Sequence, residues 1–580
     1  MARIKHHGFN QTELDRAKHQ ISRGDEWWDQ GDKLASSTYA SWCLSHFLRD
    51  EPILNARLIR ELNARLLPGI VLEDVNGIFG QRFSDATTVL LVTAPEKYRD
   101  TLPTAESVSE QFSQIEAREA GAISDVETDR PLLSQKPKPG SIVEEKTIPE
   151  IGVAEWTLSN GLKVVLRPSD WDRDRIFFNG FSPGGTSVCG DDEYEAVSVV
   201  SNLIRDCGAG DFDRRELRNK SLETIAHADP YVWETREGID GKALARDVQT
   251  MFELLYLRFT SPLACGDAFR EWQNSKREWI KNQNADPRFV FYDTLDAILS
   301  QNHPRRRHIS TLEELEAVDL DTGYRVFRDR FSDASDFTFV FYGDFDVDEL
   351  KPLILTYVGS LPSTGRKETW RDIGVRPPRG VVKKVIRKGI EPQAEVAIVF
   401  TGPFEWSGQS EIVLEAMGEA LRERLRNTLR EEMSGTYGAM VAASAGADPF
   451  SRRVPYSCYT VYIHFGSAPE RCEELVNAVF VQIDSLKTFE CDERTVSSIR
   501  ETKRRYLEGY LKKNSYWGSE LVRAYFEGDD PREIPKVLEY IRSIDAPGIR
   551  EAARKYLDLG NYVQLIRMPE GEQKAESQAK

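Results

Sequence analysis

The sequence predicts an α+β chain built from repeated units, each a mixed sheet with helices packed on one face, with two units complete and a third present only as its tail. Three observations predict it. A segment containing RFSDA occurs twice, short period-two apolar strands are interleaved with amphipathic helices, and a helical tail of one common order recurs three times.

The repeat sets the frame. Residues 78–92 read IFGQRFSDATTVLLV and residues 326–341 read VFRDRFSDASDFTFVF, with RFSDA starting at Arg82 and at Arg330. The flanks match as well. AFREWQNSKREWIKN precedes the second copy and TELDRAKHQISR the first, each followed by a second helix, a break near proline and a final helix leading into a strand. A looser third copy runs from TVSSIRETKRRYLEG to the strand NYVQLIRM. The chain therefore divides into residues 1–112, the tail of a first unit; 113–150, a linker rich in Pro, Lys and Glu; 151–364 and 365–570, two full units; and 571–580, a polar tail. TTVLLVT (87–93) reads as a buried strand whose sheet partners would come from a front that this first unit lacks.

Within the unit at 151, EWTLSNGLKVVLRP reads as two strands around an Asn160-Gly161 turn, followed by the strand RIFFNGFSPGG. In the last unit EVAIVF (395–400) is a buried strand ending at Gly402-Pro403. Val413, Met417, Leu421, Leu425 and Leu429 recur every four residues and make an amphipathic helix over 411–431, which ends at the turn Ser434 to Gly438. Tyr459, Val461, Ile463 and Phe465 alternate with Cys458, Thr460, Tyr462 and His464, which makes a two-faced strand. Ser467 and Pro469 suit the start of a helix striped by Leu475, Val476, Val479, Phe480, Ile483 and Leu486.

Composition excludes several classes. A formal charge of −17 argues against a nucleic-acid partner. No apolar run reaches the roughly 18 residues that a membrane helix needs. The start MARIKHHGFNQTELDRAKHQ has no apolar stretch behind its basic residues, so as written the chain is expected in the cytoplasm, and in the periplasm if the true start lies upstream. Seven cysteines with irregular spacing and no C-x-x-C argue against a disulfide framework or a thiolate zinc site, and most read as small buried apolar residues.

Metal and nucleophile motifs are not found. None of His6, His7, His19, His46, His227, His303, His308 and His464 opens H-x-x-E-H or H-E-x-x-H, and there is no glycine-rich phosphate loop or G-x-S-x-G. His303 and His308 sit in a Pro-containing basic loop that suits a metal poorly. Glu313-Glu314 and Glu431-Glu432 read as solvated helix faces, and Trp27-Trp28 as a packing element.

The order LSNGLKVVLRP, a strand ending in PGG, an apolar helix and a late LREEMSGTYG resembles the insulinase (pitrilysin) family of zinc metallopeptidases, most of all its bacterial two-half members, over nearly all of the chain. The resemblance implies four homologous units, the first binding zinc through H-x-x-E-H and a distal Glu. Here the matching helix, EAVSVVSNLIRDCGAG, offers Ser198, Ser201 and Asn202, which are poor zinc ligands, so the unit at 151 is expected to be non-catalytic. No cofactor is expected in this chain; zinc would belong to the full-length family or to a separate chain carrying the metal-binding unit. The resemblance further implies that Arg430 and Tyr437 contact substrate peptide near the cleaved bond, where a guanidinium and a phenol can donate to the scissile carbonyl. From spacing alone, an arginine offsetting a helix C-terminus and a packed tyrosine serve as well. The expectation is a peptide-binding half of a zinc endopeptidase, inactive alone; a structural or assembly subunit of the same fold, or a truncated inactive product, are the alternatives.

Overall fold

The computed structural model describes residues 4, 7–28, 36–82, 89–93, 96–116, 130–222, 224–436, 438–447 and 451–571. The chain forms two compact units, residues 1–132 with 212–227, and residues 133–211 with 228–580. The side chains of Trp27-Trp28, most of the first RFSDA copy and the polar tail beyond 571 lie outside the described residues.

The first unit is helical: α1 (Gln11–Trp28), α2 (Ser36–Arg49), α3 (Ala56–Leu66), α4 (Leu72–Arg82) and α5 (Ala105–Glu116). α1 packs on α3, with Asn63 Nδ2 donating to Asp25 at 2.7 Å. No residue of α2 is buried, and its Leu44, Phe47 and Leu48 face solvent. The expected strand at 87–93 is corrected here: residues 89–93 carry no strand, and Val89 and Leu91 are 91% and 82% exposed. A strand needs a neighbour for its amides and carbonyls, and none of the described residues pairs with these.

The second unit holds two lobes. The first lobe begins with β1 (Ile142–Ile148), β2 (Val153–Leu158), β3 (Lys163–Pro168), β4 (Arg175–Pro183) and α6 (Tyr194–Arg205). After α7 (Arg214–Ser221), which belongs to the first unit, come β5 (Ala226–Val232), β6 (Arg236–Leu244), α8 (Val248–Thr260), α9 (Gly266–Asn282), α10 (Pro287–Leu299), α11 (Leu312–Glu316), α12 (Leu320–Arg330), β7 (Thr338–Gly343) and α13 (Val347–Leu353). The second lobe comprises β8 (Val381–Arg387), β9 (Ala394–Pro403), α14 (Gly408–Leu425), β10 (Ala439–Ala445), β11 (Cys458–Ser467), α15 (Cys472–Thr488), α16 (Glu493–Tyr510), α17 (Asn514–Glu527), α18 (Val537–Arg542), α19 (Ala546–Tyr556) and β12 (Tyr562–Met568).

Each lobe is a mixed sheet packed with helices, as the sequence predicts. The strand orders are β1-β2-β3-β7-β4-β6-β5 and β10-β11-β9-β12-β8, with β3/β7 and β12/β8 parallel. Gly161, at φ 86°, turns β2 into β3 where the Asn-Gly pair is expected. One piece of the expected linker is not a connection: residues 142–148 are the edge strand β1, whose outward Glu144, Glu145 and Lys146 keep the open edge charged.

The lobes finish one another's sheets. Successive strand residues face opposite sides. In the first sheet Phe341 meets Phe252 of the lobe's own α8 at 5.4 Å between ring centroids, while Val165, Phe181 and Val340 pack against Trp517, Leu521 and Val522 of α17 from the second lobe. In the second sheet Val396, Ile398 and Phe400 join the core made with α14, α15 and α19, while Ala397, Val399, Val563 and Leu565 pack against Phe291 and Leu295 of α10 from the first lobe. α10 and α17 occupy the same place in the repeat, each following the long charged helix. α17 approaches so closely that a side chain at Gly518 would meet the ring of Tyr342 at 2.3 Å.

The cysteine expectation is corrected in part. Cys207, just after α6, is disulfide-bonded to Cys265, just before α9, while Cys189, Cys458, Cys472 and Cys491 are free and buried and Cys43 is free and exposed. Fifty-eight residues separate the bonded pair, and only the fold brings them together. The buried Arg258 ties the same corner by donating to the carbonyls of Ile204, Arg205 and Cys207 at 2.6–3.0 Å, which satisfies the open end of α6.

Glu237 on β6 is fully buried. Its Oε2 accepts from the Gly185 amide at 2.5 Å. Burial pushes its carboxyl up to about 8; Arg330 and the Gly185 amide oppose this, while Glu368 and Asp336 reinforce it. A carboxyl raised in the folded state binds its proton more tightly there than in the unfolded chain. Its contribution therefore favours folding at low pH and is lost as pH rises from about 4.5 to about 8. Glu237→Gln is expected to flatten stability over that window, as read by urea midpoints at pH 5 and pH 8.5; an unchanged slope would show that another group carries it.

Candidate functional site

The site expected from sequence lies where α14 runs out. Ser407 caps the helix in a capping box with Ser410, and Leu414, Leu421 and Leu425 seat it in the second lobe's core. Gly418 lets α14 lie directly on β10, since a Cβ there would meet the Cβ of Ala443 at 2.6 Å. The helix then widens into a π-helical turn, Arg426–Glu432, pinned by buried Leu429 and closed by Met433 N–H to Thr428 O at 3.0 Å and Gly435 N–H to Leu429 O at 2.9 Å. Such turns recur at functional sites. Arg430 sits in it, exposed; Tyr437 lies outside the described residues.

Arg430 opens onto a cavity of about 300 Å³ lined also by Arg422, Arg426, Glu419, Glu423 and Thr502. Arg422, Arg426 and Arg430 follow one another at intervals of four on one helix stripe, and among the described residues none has an ion-pair or hydrogen-bond partner. Like charges at that spacing repel by a few tenths of a kcal/mol, partly offset by the negative helix end. Three free guanidiniums on a cavity wall can bind carboxylates and peptide carbonyls. Arg422 and Arg426 were not singled out from sequence, although their spacing was visible there.

Zinc does not fit the residues described. On α6, Ser198 Oγ already donates to the Glu195 carbonyl at 2.8 Å, and Ser201 is buried. His303 Nδ1 accepts from the Arg305 amide at 3.2 Å, and its Nε2 lies 3.1 Å from the Ile373 carbonyl. His308 packs among Trp279 and Phe289, and His464 pairs with Glu395 at 2.9 Å. Among the described residues no three His, Cys, Asp or Glu side chains could share a metal ion.

Residues 325–503 match the family model for the Peptidase M16 inactive domain, a stretch that contains α14, the arginine stripe and the cavity. The chain is 24% identical over 539 residues to a zinc protease PQQL-like protein of Arabidopsis thaliana, covering 90% of this chain and 53% of that protein. This chain is a relative of the M16, or insulinase-family, peptidases. It is also 21% identical over 485 residues to a probable zinc protease PqqL of Haemophilus influenzae, covering 82% of this chain and 50% of that one. The chain thus spans about half the length of these curated relatives. Its fold is similar to that of the periplasmic protease PqqL from Escherichia coli, with a TM-score of 0.69 at 18% identity, covering 98% of this chain and 62% of that one. The ferredoxin protease FusC, solved as a point mutant in complex with Arabidopsis ferredoxin, gives a TM-score of 0.70 at 17% identity, covering 98% and 62% of the two chains.

Proposed function

We propose that this chain is the non-catalytic, peptide-binding half of an M16-type zinc endopeptidase, and that it works with a zinc-bearing unit of the same fold. The observation that carries this reading is the stripe Arg422, Arg426 and Arg430, unpartnered among the described residues, on a cavity wall within the segment that matches the M16 inactive domain. A scaffold subunit has no need to hold three arginines on one stripe without direct ion-pair partners. In this reading Arg430 and Tyr437 receive the peptide, and the chemistry of cleavage comes from elsewhere. An oxidising compartment, as the name of the periplasmic E. coli relative suggests, suits the Cys207–Cys265 bond.

Purified chain supplied with zinc is expected to bind unfolded peptides without hydrolysing them. Arg430→Ala is expected to weaken binding about tenfold, the scale for losing a charge-assisted contact. Chelator-sensitive hydrolysis by the purified chain would overturn the reading, as would failure to bind any peptide.

A further inference from the structure

The arginine cavity continues into a larger one. Glu419, Arg422 and Thr502 line both, and the second encloses about 860 Å³ between facing stripes of α14 and α16, closed by Trp406, Tyr516 and Tyr540. From Glu411 in the larger cavity to Arg430 in the smaller, helical rise gives about 29 Å. Eight or nine residues of extended peptide cover roughly that distance.

The two ends differ in charge and in surface. Seven carboxylates and four cations line the larger cavity. Two of those cations are each shared between carboxylates: Lys503 lies 2.8 Å from Glu415 and 3.0 Å from Glu419, and Arg452 lies 2.7 Å from Glu411 and 3.5 Å from Glu520. The Lys503 ammonium between two carboxylates leaves a negative charge over and fixes where it sits, whereas Glu520 also meets Arg523, which balances the Arg452 set. Tyr506 on the same wall leaves 64% of its surface to solvent, ring area that an occupant would cover, while the neighbouring Tyr510 already has the Lys513 ammonium 4.7 Å from its ring centroid. The smaller cavity carries the three free arginines against two carboxylates, Glu419 and Glu423, and Glu419 is already held by Lys503.

Resting on the peptide-binding reading above, we infer that this groove holds an extended peptide in one direction, with a lysine, arginine or free amino terminus among the tyrosines and carboxylates and an acidic side chain or carboxyl terminus on the arginine stripe. A cation over tyrosine faces, backed by fixed carboxylates, is attracted by both the ring quadrupole and the excess charge. A peptide of the opposite order either meets like charges at both ends or turns round and brings its carboxyl terminus to the carboxylates and its amino terminus to the arginines. The groove thus selects by the order of charges along the peptide rather than by its net charge.

Two nine-residue peptides of identical composition, with free termini and a dye on a central side chain, test this by fluorescence anisotropy with the full chain. One has lysine and tryptophan in its first third and aspartate in its last; the other runs in the opposite order. The first is expected to bind about tenfold tighter at low salt and to lose that advantage near 1 M salt, where the screening length falls to about 3 Å. Tyr506→Ser, at an exposed position, and Glu415→Gln should each erode the preference, whereas Arg430→Ala should weaken the first peptide most. Equal, Arg430-dependent binding of both peptides would overturn the directional groove and leave peptide binding standing. Failure of both peptides to bind would remove the two readings together.

Discussion

Trp517→Ala is expected to destabilise the second unit by about 4 kcal/mol, within the range for emptying a buried site of a large aromatic side chain. Trp517 is 5% exposed and sits where α17 seals the first lobe's sheet. It also covers a charge. Arg167 on β3 is buried, and its guanidinium lies 3.8 Å from the Trp517 ring centroid and 4.6 Å from that of Trp171. Its Nε and one Nη have no hydrogen-bond partner, and burial lowers its pKa to about 10. The indole faces are the favourable surroundings described for this cation. Removing one of them adds an electrostatic penalty to the cavity. Urea unfolding should show a lower midpoint with an unchanged slope, and Trp171→Ala, at a half-buried position, should cost clearly less. A loss below about 1 kcal/mol for Trp517→Ala, against the usual scale for such sites, would mean that α17 does not bind the lobes together.

The second large effect is expected from Cys207→Ser combined with Cys265→Ser. The bond closes a loop of 58 residues. Releasing that constraint on the unfolded chain costs about 4 kcal/mol by the chain-entropy relation. The oxidised protein unfolded without reductant should titrate five thiols, and reductant should raise the number to seven. Seven thiols in both conditions would refute the bond. Reductant should lower the urea midpoint of the native sequence and leave that of the double variant where it is.

The parts of the fold written in local periodicity were legible. β9, β11 and the stripe of α14 follow from their spacing alone, and Asn160-Gly161 marks its hairpin without any tertiary information. What was not legible depends on distant residues. The charge pairing of Glu415 and Glu419 is decided by Lys503 on another helix, so no local rule shows that Arg422 and Arg426 stay free. Glu237 lies in REGID, a stretch that looks solvent-facing, yet it is fully buried next to Gly185. Residues 87–93 have the composition of a strand, but composition does not supply a neighbour. Arg430 was reached only through family resemblance, since an arginine near a helix end is common on other grounds.

The exchange of α10 and α17 also bears on synthesis. The last strand of the first sheet ends at Gly343, and the helix that covers the outer side of that sheet is not made until residues 514–527. At about 5–20 residues per second, a ribosome needs roughly 10–40 s to cross that interval. Throughout it the valines and phenylalanine beneath Trp517 lack their cover on the nascent chain, and the first lobe's sheet can finish its packing only when its sister is complete.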